Sequence, residues 1–120
     1  LEGIQPVIGA AQNAIKDILN ELQPVPVTVD KIISEVARTY NTTPDMIRGT
    51  SRVANVAAAR NVSMYIIREI TGMSLKDIGS EFSGRDHSTV SYAIRTIVER
   101  MEEDMHLEET VEDIIKNVRT

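Results

Sequence analysis

The sequence predicts an all-α domain, a helix-turn-helix-containing bundle of about six to seven helices. Three observations support this fold class. Apolar residues recur with the period of a helix in several segments and rarely alternate as in a strand. Helix caps and glycine stops punctuate these segments. The 120 residues include one Phe, three Tyr and no Trp, so the core must be aliphatic, and the length suits a single domain.

The N-terminal segment is predicted to form a helix over about 9–22, followed by a stiff connector. Pro24 and Pro26 end the helix and favour extended backbone. The chain begins at Leu1 rather than Met, so we expect a fragment or a processed product. The apolar stripe of this helix consists of Ile8, Ala11, Ile15, Ile18, Leu19 and Leu22.

The next helix is predicted over about 29–40, with Thr28 as its N-terminal cap and Asn41 as its stop. Val27 and Ile32 have the spacing of a hydrophobic staple across that cap. A short turn of helix then begins at Thr43-Pro44-Asp45, since proline in the first helical position loses no hydrogen bond. It is expected to end at Arg48-Gly49.

Residues 50–55 lack periodicity and are interpreted as a loop. A longer helix follows over about 56–71, closed by Gly72 in the left-handed conformation. Its predicted inner face has two parts, a central row and two marginal residues: Val62, Ile66 and Ile70 in the row, Met64 and Ile67 at its margins.

The stretch 74–101 predicts a short helix, a tight break and a longer helix. Ser74 and Asp77 fit the cap of the first helix, Ser83-Gly84 fits the break, and Asp86 fits the cap of the second. One stripe of the second helix is apolar and is expected to be buried: Val90, Ala93, Ile94, Ile97, Val98 and Met101. A final amphipathic helix carries Leu107, Val111, Ile114, Ile115 and Val118.

The opposite face of the second helix carries short hydrogen-bonding groups, one cation and almost no acid. Such a face suits base edges and phosphates. Two helices joined by a glycine-containing turn, the second polar at its start, are typical of a helix-turn-helix whose recognition helix enters the major groove. The face consists of His87, Ser88, Thr89, Ser91, Tyr92, Arg95 and Thr96.

The net charge of −5 does not exclude DNA binding, because the charges are segregated. Residues 38–100 hold nine cations and six acids, whereas residues 101–120 hold two cations and seven acids. With a Debye length of about 8 Å at physiological salt, distant acids act weakly on phosphates at a contact face. We expect modest non-specific affinity.

Several function classes lack their sequence signatures. There is no cysteine, and the two histidines, His87 and His106, are nineteen residues apart, so no metal site is predicted. The glycines form no G-x-x-x-x-G-K-[ST] pattern, and we predict no enzyme activity and no cofactor on this chain. No apolar run approaches the roughly 18 residues of a membrane span and no secretory signal is visible, so we expect a cytoplasmic protein.

The motif GRDHSTV at 84–90 resembles the GRDH[ST]TV motif in the C-terminal DNA-binding domain of DnaA, the bacterial chromosomal replication initiator. The likeness extends upstream through RNVSMYIIREITGMSLKDIGSEF and covers roughly 27–120. It implies a Trp-repressor-like fold in which 27–120 bind DNA. Residues 1–26 would be a linker helix and connector to an AAA+ domain that holds ATP and lies outside this chain.

The resemblance also implies the DNA contacts. Arg52 would enter the minor groove, although Val53 and Ala54 replace residues that are commonly basic in the family. This sequence departs from the family at two further positions. Ala59 stands where a proline often precedes the equivalent of Arg60, and Lys76 itself replaces a frequent proline. The remaining predicted DNA contacts are Arg60, Asn61, Arg68, Leu75, Lys76 and Arg85, with Lys76 acting through its backbone N–H.

At the start of the recognition helix, His87, Ser88 and Thr89 would read bases, with Asp86 as the orienting cap. Without the resemblance, Ser88 and Thr89 are better explained as residues that serve the helix N-terminus. The implied function is sequence-specific binding of double-stranded DNA at replication-origin boxes, one monomer per box, and regulatory proteins are further candidate partners. Two alternatives remain open: a helix-turn-helix transcriptional regulator, and a helical protein-interaction module using the acidic last helix. The DNA interpretation requires the polar face after His87 to be open to water.

Overall fold

The computed structural model describes residues 27–120, and within this range the chain forms helices and no strand. The predicted helix over about 9–22 and the connector at Pro24 and Pro26 lie outside the described residues. The all-α prediction is confirmed. The helices are α1 (Val29–Thr39), α2 (Pro44–Arg48), α3 (Ala54–Thr71), α4 (Leu75–Glu81), α5 (His87–Glu103) and α6 (Met105–Val118).

Helices α1 and α2 begin and end where the sequence predicts. The hydroxyl of Thr28 accepts from the backbone N–H of Lys31 at 3.1 Å. Asn41 adopts a positive φ of 59°, and the N–H of Thr42 donates to the carbonyl of Ala37 at 2.9 Å, which closes the end of α1. These local hydrogen bonds fix the two ends of α1.

Helix α3 is the central helix, because it packs against all five others. The prediction that Met64 and Ile67 lie at the margin of its inner face is wrong, since they are 1% and 0% exposed. Ile70 is only partly buried. A helix surrounded by neighbours buries most of its circumference rather than one stripe. Helix α3 also begins at Ala54, two residues before the predicted start, so the preceding loop is shorter than expected.

Helices α4 and α5 form the helix-turn-helix. Ser74 accepts from the N–H of Asp77 at 3.1 Å, which confirms the first cap. Both residues of the break have positive φ, 65° at Ser83 and 72° at Gly84. A left-handed conformation is unusual for serine, and here the Ser83 hydroxyl donates to the carbonyl of Arg48 at 2.6 Å.

Helix α5 buries Val90, Ala93 and Ile97 against the core, as predicted. Val98 was also predicted to be buried but is 38% exposed. One residue rotates the helix by about 100°, so Val98 lies to the side of the stripe that contains Ile97. Asp104 then caps α6 by accepting from the N–H of Leu107 at 3.1 Å. No helix in the described part of the chain has the length and hydropathy to cross a membrane.

Candidate nucleic-acid interface

The polar face at the start of α5 is open to solvent. His87, Ser88 and Thr89 are exposed, and so are Tyr92 and Arg95 further along the helix. Ser91 and Thr96, at the edges of this face, are half-buried. The face is therefore not packed against the body of the domain, which meets the condition that the DNA interpretation requires.

Asp86 holds the first turn of α5 in place. Its carboxylate accepts from the backbone N–H of Thr89 at 2.8 Å. This hydrogen bond, assisted by the Thr89 side chain, lowers the pKa of Asp86 below its ordinary value, with smaller contributions from His87 and from the N–H of Ser88. The predicted cap is confirmed, and the carboxylate is committed to orienting the residues that follow it.

A pocket of about 320 Å³ is lined by three arginines that come from different parts of the chain. Arg52 comes from the loop before α3, Arg60 from α3 itself and Arg85 from the turn before α5. The other lining residues carry no charge: Thr50, Ser51 and Ala57. An uncompensated cluster of guanidinium groups attracts phosphate, so this concavity, which we call the arginine pocket, suits a nucleic-acid backbone.

Arg60 is held inside the domain, and the DNA contact predicted for it stays a prediction. It is 6% exposed. Its three nitrogens donate to backbone carbonyls: Nε to Ile47 at 2.8 Å, Nη1 to Ser51 at 3.0 Å and Nη2 to Met46 at 3.1 Å. Burial first, and then the positive charge of Arg85, lower the pKa of Arg60. The guanidinium fastens α2 and the following loop onto α3 and thereby fixes the wall of the arginine pocket.

Arg85 and Arg52 have more of their polar groups available. Arg85 is half-buried, and its Nη2 donates to the carbonyl of Gly49 at 3.1 Å. Its buried Nε has no hydrogen-bond partner within residues 27–120. Arg52 is exposed, and no ion pair involves it in the described range. Arg52 and the solvent-accessible part of Arg85 can therefore still bind an anion, whereas Nε of Arg85 is out of reach.

The remaining predicted residues lie outside the lining of the arginine pocket. Arg68, near the end of α3, is exposed and donates from Nη1 to the carbonyl of Met73 at 2.5 Å. Leu75 is half-buried and Lys76 exposed, and as the first residues of α4 their N–H groups precede the first intrahelical bond. Asn61 is half-buried beside Arg60. We keep these four as proposed contacts.

Arg48 has a structural role that the sequence did not predict. Its guanidinium bonds Asp30 at 2.5 Å and Glu81 at 2.7 Å, and it also donates to the backbone carbonyl of Glu81. This arginine joins the start of α1 to the end of α4. No local pattern signals these pairs, because the partners are distant in sequence.

In the described residues no group of three or more potential metal-ligating side chains converges.

Comparison with known proteins agrees with this geometry. The family model described as bacterial DnaA protein helix-turn-helix matches residues 29–97. The chain is also similar to the chromosomal replication initiator protein DnaA of Cutibacterium acnes, with 39% identity over 116 residues. That alignment covers 96% of this chain and 23% of the relative, so the chain spans about a quarter of the length of the curated relative that it matches.

Proposed function

Because this chain belongs to the bacterial DnaA helix-turn-helix family, we propose that residues 27–120 bind double-stranded DNA sequence-specifically, at short boxes of a replication origin. The observation that carries this proposal is the exposed polar start of α5, which follows directly in the chain from the Arg85 wall of the arginine pocket. The start of α5 would supply the groups that read bases, and the adjoining arginine pocket would supply the groups that bind phosphate.

In the proposed complex the start of α5 enters the major groove. The side chains of His87, Ser88 and Thr89 reach base edges, and the Thr89 methyl packs on a thymine methyl. Asp86 reads no base in this arrangement. It fixes the first turn of α5, so the three reading side chains leave the helix in defined directions.

The loop before α3 provides the second grip. Arg52, on this loop, enters the adjacent minor groove, where a narrow groove concentrates negative potential. Arg60 fixes the position of this loop, because its Nη1 donates to the carbonyl of Ser51, the residue just before Arg52. Arg85 then binds a phosphate between the two grooves through the exposed part of its guanidinium, since its Nε is buried and its Nη2 donates to the carbonyl of Gly49.

We further propose that residues 1–26 link this DNA-binding domain to the AAA+ domain of a chromosomal replication initiator. ATP binding and assembly would reside on that other domain, and this chain would act only as the reader, on the nucleoid. A regulator that uses the same reading head at promoters is the second candidate, since the interface would be identical. Mapping of the bound sites on the chromosome distinguishes the two, because an initiator occupies sites at the origin and a promoter regulator occupies sites upstream of genes.

The decisive experiment measures fluorescence anisotropy of a labelled origin-box duplex and of a scrambled duplex at physiological salt. We expect the box to be bound at least tenfold more tightly, because specific sites normally exceed non-specific DNA by a wide margin. Equal affinities for the two duplexes would refute the proposal. The Arg100→Ala variant provides a control, since Arg100 is exposed on α5 but lies thirteen residues beyond His87.

A further inference from the structure

Tyr92 and Arg95 form a pair on α5 that the base-reading arrangement leaves unexplained. Tyr92 is 63% exposed and lies outside the hydrophobic core. The guanidinium carbon of Arg95 lies 5.6 Å from the centre of the Tyr92 ring, within the range of a cation–π contact. The two side chains therefore present one exposed unit, with an aromatic body and a charged tip.

This unit lies in line with the base-reading residues. Ser88, Tyr92 and Arg95 follow the spacing i, i+4, i+7, which places them on one stripe of the helix. The stripe points away from the buried row that contains Val90 and Ile97. A groove that accepts Ser88 therefore also has Tyr92 and Arg95 directed at it.

The distance along the helix decides what the unit meets. Arg95 lies seven residues after Ser88, which is about 10 Å at the rise of an α-helix. The major groove is about 8.5 Å deep and 12 Å wide. When Ser88 is at the base edges, Arg95 is accordingly at the level of the sugar-phosphate wall rather than at the bases.

The orientation of Arg95 also favours a phosphate. Glu99 is four residues further along α5 and exposed, yet no ion pair between Glu99 and Arg95 occurs among the described residues. The guanidinium instead folds back over Tyr92, toward the N-terminal end of the helix. Stacking on the ring restricts the side chain while leaving the N–H edge available for bidentate bonds to an anion.

We propose that Tyr92 and Arg95 form a clamp on the DNA backbone. Arg95 binds one phosphate of the major-groove wall, and the ring of Tyr92 holds the guanidinium of Arg95 in place. This inference rests on the proposed function, since it uses the same docked helix. It also sets the limit of insertion: beyond Arg95 the stripe carries Glu99, and a carboxylate is repelled by phosphates.

The test compares Arg95→Ala with Arg100→Ala, a matched change of the same residue type on the same helix. We expect Arg95→Ala to weaken origin-box and scrambled duplexes alike by about tenfold, and to reduce the slope of log affinity against log salt by about 0.9, the value for one phosphate. Arg100→Ala should leave both quantities unchanged. In ethylation interference, one phosphate whose ethylation blocks binding of the wild type should no longer do so with Arg95→Ala, whereas Arg100→Ala should show the wild-type pattern. Equal behaviour of the two variants overturns the clamp.

Two substitutions of Tyr92 isolate its role. Tyr92→Phe keeps the ring and should bind like the wild type, whereas Tyr92→Leu removes the stacking surface and should weaken binding severalfold only while Arg95 is present. Loss of affinity in Tyr92→Leu that persists in the Arg95→Ala background contradicts a joint clamp. If the wild type discriminates the box but Arg95→Ala has no effect, the clamp fails and the proposed function stands. If the wild type binds the box and the scrambled duplex equally, yet Arg95→Ala still reduces the salt slope, the proposed function fails and the clamp stands.

Discussion

A Cβ atom placed on Gly79 would lie 1.9 Å from the carbonyl oxygen of Arg85, so the backbones of α4 and of the turn before α5 touch directly at this point. The carbonyl of Gly79 also accepts the N–H groups of Phe82 at 3.0 Å and Arg85 at 3.1 Å. The approach of α4 to the start of α5 is thus fixed by backbone atoms. No side-chain rearrangement can relieve a clash there.

Gly79→Ala is therefore expected to damage both stability and DNA binding. Overpacking of a tight contact costs about 1–3 kcal/mol, and the displaced turn moves Arg85 and His87 away from their positions. Denaturant unfolding and anisotropy should both register the change. Gly72→Ala is the control, because Gly72 has φ +70° with open space around it. It should lower stability by about 1–2 kcal/mol through backbone strain and leave affinity for the origin box intact. Wild-type affinity in Gly79→Ala would show that the contact does not control the interface.

The boundaries of the helices were predictable where a side chain or a glycine caps them, and the start of α3, where Val53 makes no side-chain cap, was misplaced by two residues. Ser74 and Asp86 each bond an N–H three residues ahead, and Gly72 takes the left-handed conformation directly after its helix. The exposed polar face of α5 followed from periodicity alone. These features depend on chemistry within one or two turns, which a single sequence displays.

The role of Arg60 was not predicted, because it depends on contacts between separate helices. Its acceptors are carbonyls of α2 and of the following loop, which reach it only after α2 packs against α3. One signal was present: Arg60 falls on the helical stripe of Val56, Ser63 and Ile67, all buried. A cation on a buried stripe indicates an internal hydrogen-bonding role more than a surface one. The ion pairs of Arg48 offered no comparable signal.

Arg60→Lys should destabilise the domain although the charge is kept. Lysine cannot reproduce the planar fork that donates to three carbonyls, and hydrogen bonds from a charged group contribute about 1.5–3 kcal/mol. Chemical denaturation should therefore show a loss of at least that size. Arg52→Ala, in the neighbouring loop, changes an exposed residue and should alter stability by less than about 0.5 kcal/mol while weakening DNA binding. If Arg60→Lys is as stable as the wild type, the fork is not required.

The cap of α5 should make part of the stability depend on pH. Hydrogen bonding holds the pKa of Asp86 below its ordinary value of 3.8 in the folded state. The stabilisation is thus present above pH 3.8 and is lost as the pH falls through the folded pKa. Asp86→Asn accepts the same hydrogen bond without titrating, so its melting temperature should fall less steeply than that of the wild type below this pH. Parallel curves for the two proteins would exclude Asp86 as the titrating group.

The roles assigned to Thr89 and Arg68 differ and can be separated. Thr89→Ala removes a methyl from the reading face, so it should erode discrimination by about 1–3 kcal/mol at one base pair and leave scrambled duplex unaffected. Thr89→Val retains the methyl and should retain the preference for thymine. Arg68→Ala removes a proposed phosphate contact, so it should weaken all duplexes alike and reduce the salt slope by about 0.9. Affinities for a set of single-base-pair variants of the box, measured at several salt concentrations, distinguish the two patterns. If Thr89→Ala and Arg68→Ala weaken every duplex equally, α5 does not read bases through Thr89, and the contact there is with the backbone.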